Sequence, residues 1–179
     1  MCQGLDSLPT SCLERAKELK ALFRRFLLKP DLNIIRHSHK TEKLRLNMDE
    51  PLKWKESFAN LLSNQNGLCL FRAFLVSEFS EENIAFYLAC EDYRTTKTSS
   101  KLSAKAKKIY EEFICNDAPR EVNLDHETKS ITKKNLECPS QCCFNLAQEK
   151  IYGLMEKDCY PRFLKSPTYL EISQQVKAG

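Results

Sequence analysis

Ser80-Glu81-Glu82-Asn83-Ile84-Ala85-Phe86-Tyr87-Leu88-Ala89-Cys90 decides the fold. Serine is a favoured helix N-cap, and two glutamates in the first turn complement the positive end of the helix dipole. Seven apolar residues then follow in succession, Ile84 to Cys90. A helix apolar nearly all round belongs in the middle of a bundle, so this segment is expected to be the central core element.

Helical spacing continues on both sides of it. Upstream, Leu52, Phe58, Leu61 and Leu62 begin a pattern, Asn66-Gly67 reads as a turn, and Leu68, Phe71, Phe74 and Leu75 follow. Downstream, Leu102, Ala106, Ile109 and Phe113 mark a helix whose opposite face carries Lys101, Lys105, Lys108 and Glu112. That face reads as solvated surface with a Lys108–Glu112 pair at i,i+4. Asn116-Asp117-Ala118-Pro119 stops this helix, because proline lacks a donor and restricts its predecessor. Asp125 is placed to cap a short helix with Ile131 and Leu136, ending at Cys138-Pro139. Ser140 is placed to cap a long one with Phe144, Ala147, Ile151, Leu154 and Met155 on one face. Asp158-Cys159-Tyr160-Pro161 is expected to interrupt it, and Phe163, Leu164, Tyr169 and Leu170 to close the apolar strip. No strand-like alternation or internal repeat competes, so the domain is expected to be all-α.

Composition fits one domain with a tail: 179 residues, 42% hydrophobic and 29% charged. The net charge of +4 is unevenly spread, since residues 1–50 hold 10 basic and 7 acidic side chains. The remainder is nearly neutral, which argues against a nucleic-acid binder relying on counterion release. No apolar stretch approaches the roughly 20 residues of a membrane span, and Met1-Cys2-Gln3-Gly4-Leu5-Asp6 lacks a basic leader and apolar run, so export is not expected. Nine cysteines without paired spacing disfavour a disulfide framework. Cys138, Cys142 and Cys143, with His126 upstream, lack the spacing of a zinc site, and no metal or cofactor is expected.

Residues 1–30 read differently from the rest. Leu13, Ala16, Leu19, Leu22, Phe23, Phe26 and Leu27 recur at helical spacing among Arg15, Lys17, Lys20, Arg24, Arg25 and Lys29. A basic amphipathic helix of this kind lies in a membrane interface, cations on anionic headgroups; docking on the neighbouring domain is the alternative. Residues 31–50 read as a polar linker that uncouples the helix from a domain over 51–172, and 173–179 as a short tail. His37 and His39 in that linker read as polar filler.

Several segments together resemble the regulator of G-protein signalling family. They are Ser77-Glu78-Phe79-Ser80-Glu81-Glu82-Asn83-Ile84, Ala89-Cys90-Glu91-Asp92-Tyr93, Ala118-Pro119-Arg120-Glu121-Val122-Asn123, Asn135, and Leu154-Met155-Glu156-Lys157-Asp158-Cys159-Tyr160-Pro161-Arg162-Phe163-Leu164-Lys165-Ser166. The match spans about residues 53–171, with the motifs in family order. The N-terminus resembles the small subfamily that pairs this domain with an amphipathic membrane helix.

The resemblance implies an all-α bundle of about nine helices. It implies a protein that performs no chemistry itself and accelerates GTP hydrolysis by heterotrimeric Gα subunits. It places Gα contacts at Ser80, Glu82, Asn83, Asn135, Leu154, Asp158, Cys159 and Arg162. Asn135 matches the family's asparagine that steadies the catalytic glutamine. Each residue also has a plainer reading: Ser80 and Glu82 as a cap and dipole partner, Asp158 and Arg162 as a surface pair, Asn135 as a helix end. Tyr87, Asn145 and Cys159 depart from the family's usual tryptophan, aspartate and serine. Retention of Ser80, Asn83 and Asp158 resembles members acting on inhibitory-class Gα, often with some action on the q class. Cys2, Cys12 and Cys90 match cysteines that can be acylated in related proteins, though burial in the central helix is the first reading of Cys90. One lipid plus a basic helix makes a two-signal anchor, so a cytoplasmic monomer recruited to the inner face of the plasma membrane through residues 12–29 is expected. A Gα-binding adaptor or sequestrant without acceleration is the alternative. A cysteine-dependent enzyme using His126 has no oxyanion site to support it.

Overall fold

The computed structural model describes Lys17 and residues 50–178. The expected membrane helix, the linker before Glu50, and Cys2 and Cys12 lie outside the described residues, apart from Lys17, which is helical and exposed. The described chain forms α1 (Glu50–Glu56), α2 (Phe58–Ser63), α3 (Gln65–Ser77), α4 (Glu81–Arg94), α5 (Ser99–Phe113), α6 (His126–Asn135) and α7 (Asn145–Leu154). A π-helical turn (Met155–Cys159), α8 (Tyr160–Leu164) and α9 (Pro167–Ala178) complete it. No strand occurs among the described residues, so the all-α expectation holds. Two compact units emerge: one joins the described residues up to Phe74 with those from Tyr160 on, the other runs Leu75–Cys159.

The first unit is built around aromatic side chains. Phe71 meets Phe58 and Phe163 edge-on, with ring centres 5.4 and 5.5 Å away. Edge-to-face geometry of this kind adds to what area burial alone contributes. Two phenol hydroxyls satisfy carbonyls of α1: Tyr160 donates to the Trp54 oxygen at 2.7 Å and Tyr169 to the Pro51 oxygen at 3.0 Å. Trp54 is buried and Leu52 exposed, the reverse of the weight that the apolar pattern put on Leu52. Likewise Ile172 is buried in α9 while Leu170 is exposed.

The break before α3 is at Asn64, not at Asn66-Gly67. Asn64 Oδ1 accepts from the backbone N–H groups of Asn66 and Gly67, at 3.0 and 2.9 Å, satisfying donors that the new helix leaves free. Gly67 sits in the first turn because a Cβ there would lie 2.7 Å from the Leu61 carbonyl oxygen and 3.2 Å from Trp54.

In the second unit, Ile84, Ala85, Phe86, Cys90 and Tyr93 of α4 are buried, as its apolar run predicts. Tyr87, Leu88 and Ala89 are only half-buried. Leu102, Ala106, Ile109 and Phe113 of α5 are all buried. Glu112 does not serve Lys108: it accepts from Arg120 at 3.1 Å, and the i,i+4 pair on α5 is Lys107–Glu111 at 3.7 Å. The cause is the path after Pro119, where Arg120 N–H bonds the Glu112 carbonyl and Val122 N–H bonds that of Phe113. The chain therefore runs back along α5 and delivers Arg120 to it.

Asp125 caps α6 as expected, its carboxylate accepting from the Thr128 N–H and hydroxyl, both at 2.8 Å. The inward face of α6 is Thr128 and Thr132, however, while Ile131 is exposed and Leu136 half-buried. Ser140 does not cap α7, which starts at Asn145. Its hydroxyl accepts from the Cys142 N–H and its carbonyl from the Tyr93 hydroxyl, so it shapes the turn ahead of the helix.

Candidate functional site

Phe79 leads into α4 with a φ of 54°, a left-handed conformation uncommon for a bulky residue, and its side chain is 95% exposed. Ser80 then holds the N-cap position, but with a ψ of 30° its hydroxyl makes no capping bond. That hydroxyl is buried and without a hydrogen-bond partner. Asn83 is 6% exposed, and its side-chain oxygen is also buried and unpartnered. Buried polar atoms left unsatisfied cost about 1–3 kcal/mol each, so two together within one turn need a reason. Glu82 stands between them, half-buried.

Met155–Cys159 follows α7 without a break: the expected interruption is a widened, π-helical turn. Pro161, just beyond, has no N–H to give to the carbonyl four residues back, which relaxes the ladder there; such turns recur at functional sites. The turn carries Asp158 exposed and Cys159 buried, with the Cys159 thiol 3.8 Å from Asp158 Oδ2, while Leu154 before it is half-buried. Burial first, then the charges of Asp158 and Glu82, push the thiol up to about 11. Glu82 on α4 and the Asp158–Cys159 pair thus share one electrostatic neighbourhood.

Asn135 is exposed at the last position of α6, and the C-cap of that helix is Leu136 rather than Asn135. Its amide donates instead to the Cys143 carbonyl at 3.1 Å. This bond holds the side chain to the turn before α7. Arg162 belongs to the first unit, where its guanidinium carbon lies 5.9 Å from the centre of the Phe74 ring. The structure thus places Ser80, Glu82 and Asn83 at the start of α4 and Asp158 and Cys159 on the π turn, with the charge of Glu82 acting on Cys159, and positions Asn135 by a separate bond.

Of the departures, Tyr87 is half-buried, its ring centre 5.9 Å from that of Tyr152, and burial raises its phenol. Asn145 accepts from Arg94 at 3.3 Å. Cys90 is buried in α4, and burial raises its thiol. Beside the start of α4 opens a groove of about 480 Å³ bordered by Val76, Phe79, Glu82, Pro119 and Arg120. Sequence reasoning passed over Phe79, whose only signal was an aromatic residue directly ahead of a cap. It also passed over Gln148, a polar residue next to Ala147 on the inward face of α7. Among the described residues, no three His, Cys, Asp or Glu side chains gather to hold a metal ion.

The regulator of G protein signaling domain family matches residues 57–172. Regulator of G-protein signaling 16 of Bos taurus is 49% identical over 187 residues, covering 100% of this chain and 93% of that protein. Regulator of G-protein signaling 5 of Sus scrofa is 51% identical over 179 residues, covering 96% of this chain and 99% of that one. Similarity therefore runs through the described domain and beyond it into the N-terminal residues. A helical domain bearing the family's motifs, matched over most of its length, belongs to the regulator of G-protein signalling family.

Proposed function

We propose that the chain accelerates GTP hydrolysis on Gα subunits by binding their switch segments in the conformation that hydrolysis requires. Gα carries its arginine in cis and a glutamine that orients the attacking water, so the activator has no catalytic group to supply. A partner that binds the reactive arrangement more tightly than the GTP ground state lowers the barrier by that difference. The observation carrying this reading is the pair of buried, unpartnered oxygens on Ser80 and Asn83, beside the acidic Glu82. Neither has a hydrogen-bond partner in the isolated chain, and a turn of either side chain would present the Ser80 hydroxyl, a donor and acceptor, and the Asn83 oxygen, an acceptor, to polar groups of an arriving protein. In this reading Ser80, Glu82, Asn83, Leu154, Asp158, Cys159 and Arg162 contact the switch segments, and Asn135 reaches the glutamine. The inhibitory class of Gα is the preferred partner, with some action on the q class.

The same proposal has the chain act as a monomer at the inner face of the plasma membrane, through residues 12–29 and an acyl group on Cys2 or Cys12. Acylation of Cys90 would require α4 to expose a buried side chain. The deciding experiment is single-turnover hydrolysis across purified Gα subunits, with binding to Gα–GDP measured in the presence and absence of aluminium fluoride. Acceleration together with fluoride-dependent binding supports the proposal. Tight binding without acceleration would point to a sequestrant, and no acceleration on any inhibitory- or q-class subunit would overturn it.

A further inference from the structure

Helices α4 and α7 run antiparallel, and a series of cross-bonds records their register. Arg94, the last residue of α4, donates to Asn145 Oδ1 at 3.3 Å and also to Gln148 Oε1. One turn back along α4, Glu91 Oε1 accepts from Gln148 Nε2 at 2.6 Å. A further turn back, the Tyr87 carbonyl accepts from the same nitrogen at 3.2 Å. Tyr87 then meets Tyr152 ring to ring. From Arg94–Asn145 through the shared Gln148 to Tyr87–Tyr152, moving backward on α4 moves forward on α7. Continued to the other end, this progression sets residues 80–83 against residues 156–159, where the charge of Glu82 does act on Cys159.

Gln148 is 5% exposed, and every polar atom of its side chain is used: the nitrogen by Glu91 and Tyr87, the oxygen by Arg94. Apolar side chains alone tolerate sliding along a helix pair, whereas a buried amide is satisfied in one register only. A slip of one turn would shift the two ends past each other by about 5.4 Å. That is enough to separate residues that must meet one partner together.

We propose that Gln148 is a positioning residue for Gα recognition: its bonds to Glu91, Arg94 and the Tyr87 carbonyl fix the register that sets Ser80, Glu82 and Asn83 opposite Asp158 and Cys159. The proposal rests on the Gα-binding function above. It is tested with the full chain as wild type, Gln148→Met, Gln148→Glu and the double variant Glu91→Gln/Gln148→Glu. Methionine keeps the length and apolar contacts of glutamine without its hydrogen bonds. Glutamate sets two carboxylates against each other, and the double variant restores an amide–carboxylate pair with the groups exchanged.

Affinity for inhibitory-class Gα–GDP with aluminium fluoride is measured well below each variant's unfolding midpoint, so that loss of stability alone leaves it unchanged. Gln148→Met is expected to weaken binding about tenfold and Gln148→Glu further, with the double variant, which regains the pair with residue 91 but not the donor to the Tyr87 carbonyl, recovering to about the level of Gln148→Met. Equal binding by wild type and Gln148→Met would overturn the positioning role while leaving the Gα function standing. So would a double variant no better than Gln148→Glu. Absence of binding by wild type would overturn the function, and the positioning role with it.

Discussion

The side-chain amide of Asn135 donates to the backbone carbonyl of Cys143 at 3.1 Å, tying the exposed end of α6 to the turn that precedes α7. An exposed asparagine is ordinarily free to rotate, and this bond fixes the direction of its amide plane. The residue is therefore oriented before any partner arrives, which lowers the entropy lost on binding.

From that arrangement, Asn135→Ala should lose at least about tenfold in acceleration of single-turnover GTP hydrolysis, because it removes the group that the proposed function has reach the glutamine. Stability should change by less than about 1 kcal/mol, since the lost bond is a single one at an exposed site. An accelerating Asn135→Ala variant would remove Asn135 from the mechanism.

Residues 1–30 are predicted to act separately from the domain. Deleting them should reduce co-sedimentation with vesicles containing anionic lipid, while acceleration on Gα in solution stays close to that of the full chain. Vesicle binding that survives the deletion would refute the membrane role of this segment.

At Gly67 the usual preference for alanine within a helix should be reversed. Alanine ordinarily favours a helix by about 1 kcal/mol over glycine. Here its Cβ would lie 2.7 Å from the Leu61 carbonyl oxygen, a backbone atom that cannot turn aside. Gly67→Ala should therefore destabilise the domain by about 1–3 kcal/mol, read as a lowered denaturation midpoint. A stabilised variant would show that α2 and α3 separate without cost.

Much of this architecture was legible because apolar residues at helical spacing do the packing in α4 and α5. The reading failed where polar residues face inward. Thr132 is buried in α6 because its hydroxyl bonds the Thr128 carbonyl at 2.8 Å, which lets a polar side chain serve as core while Ile131 stays exposed. Gln148 does the same on α7 through bonds to α4 that no local pattern announces. At the site, the N-cap position of Ser80 was legible and its missing bond was not, because that depends on a backbone angle. The family motifs pointed to Ser80 and Asn83, but not to the fold's leaving their side-chain oxygens unpartnered.

Acid should weaken the domain through Asp125. The Thr128 N–H and hydroxyl favour its charged form and hold the carboxyl below its ordinary value. Lys129 does the same for Glu121. Between the folded and unfolded values the unfolded chain binds more protons, so stability rises with pH across that window. The contribution is complete above the ordinary carboxylate values of about 4, and is lost as pH falls through the depressed folded values. Thermal midpoints should thus be flat near neutrality and drop below about pH 4. Asp125→Asn retains a capping oxygen but no titration, so its midpoint should fall less steeply than that of wild type over the same range. Parallel acid profiles would assign the loss to other carboxylates.

Five of the thiols should divide into two classes. Cys138 and Cys142 are exposed, whereas Cys90, Cys143 and Cys159 are buried. Burial pushes Cys143 and Cys159 up to about 11 and raises Cys90 as well. Because the thiolate is the nucleophile, a rise from about 8.5 to about 11 removes most of the reactive form at neutral pH, and restricted access slows reaction further. Iodoacetamide at neutral pH, mapped residue by residue by mass spectrometry, should label Cys138 and Cys142 on the order of a hundredfold faster than the buried three. Denaturant should bring all five to similar rates. Fast labelling of Cys90 in the native chain would mean that α4 opens often enough to expose its core face, and would make that cysteine accessible to acylation after all.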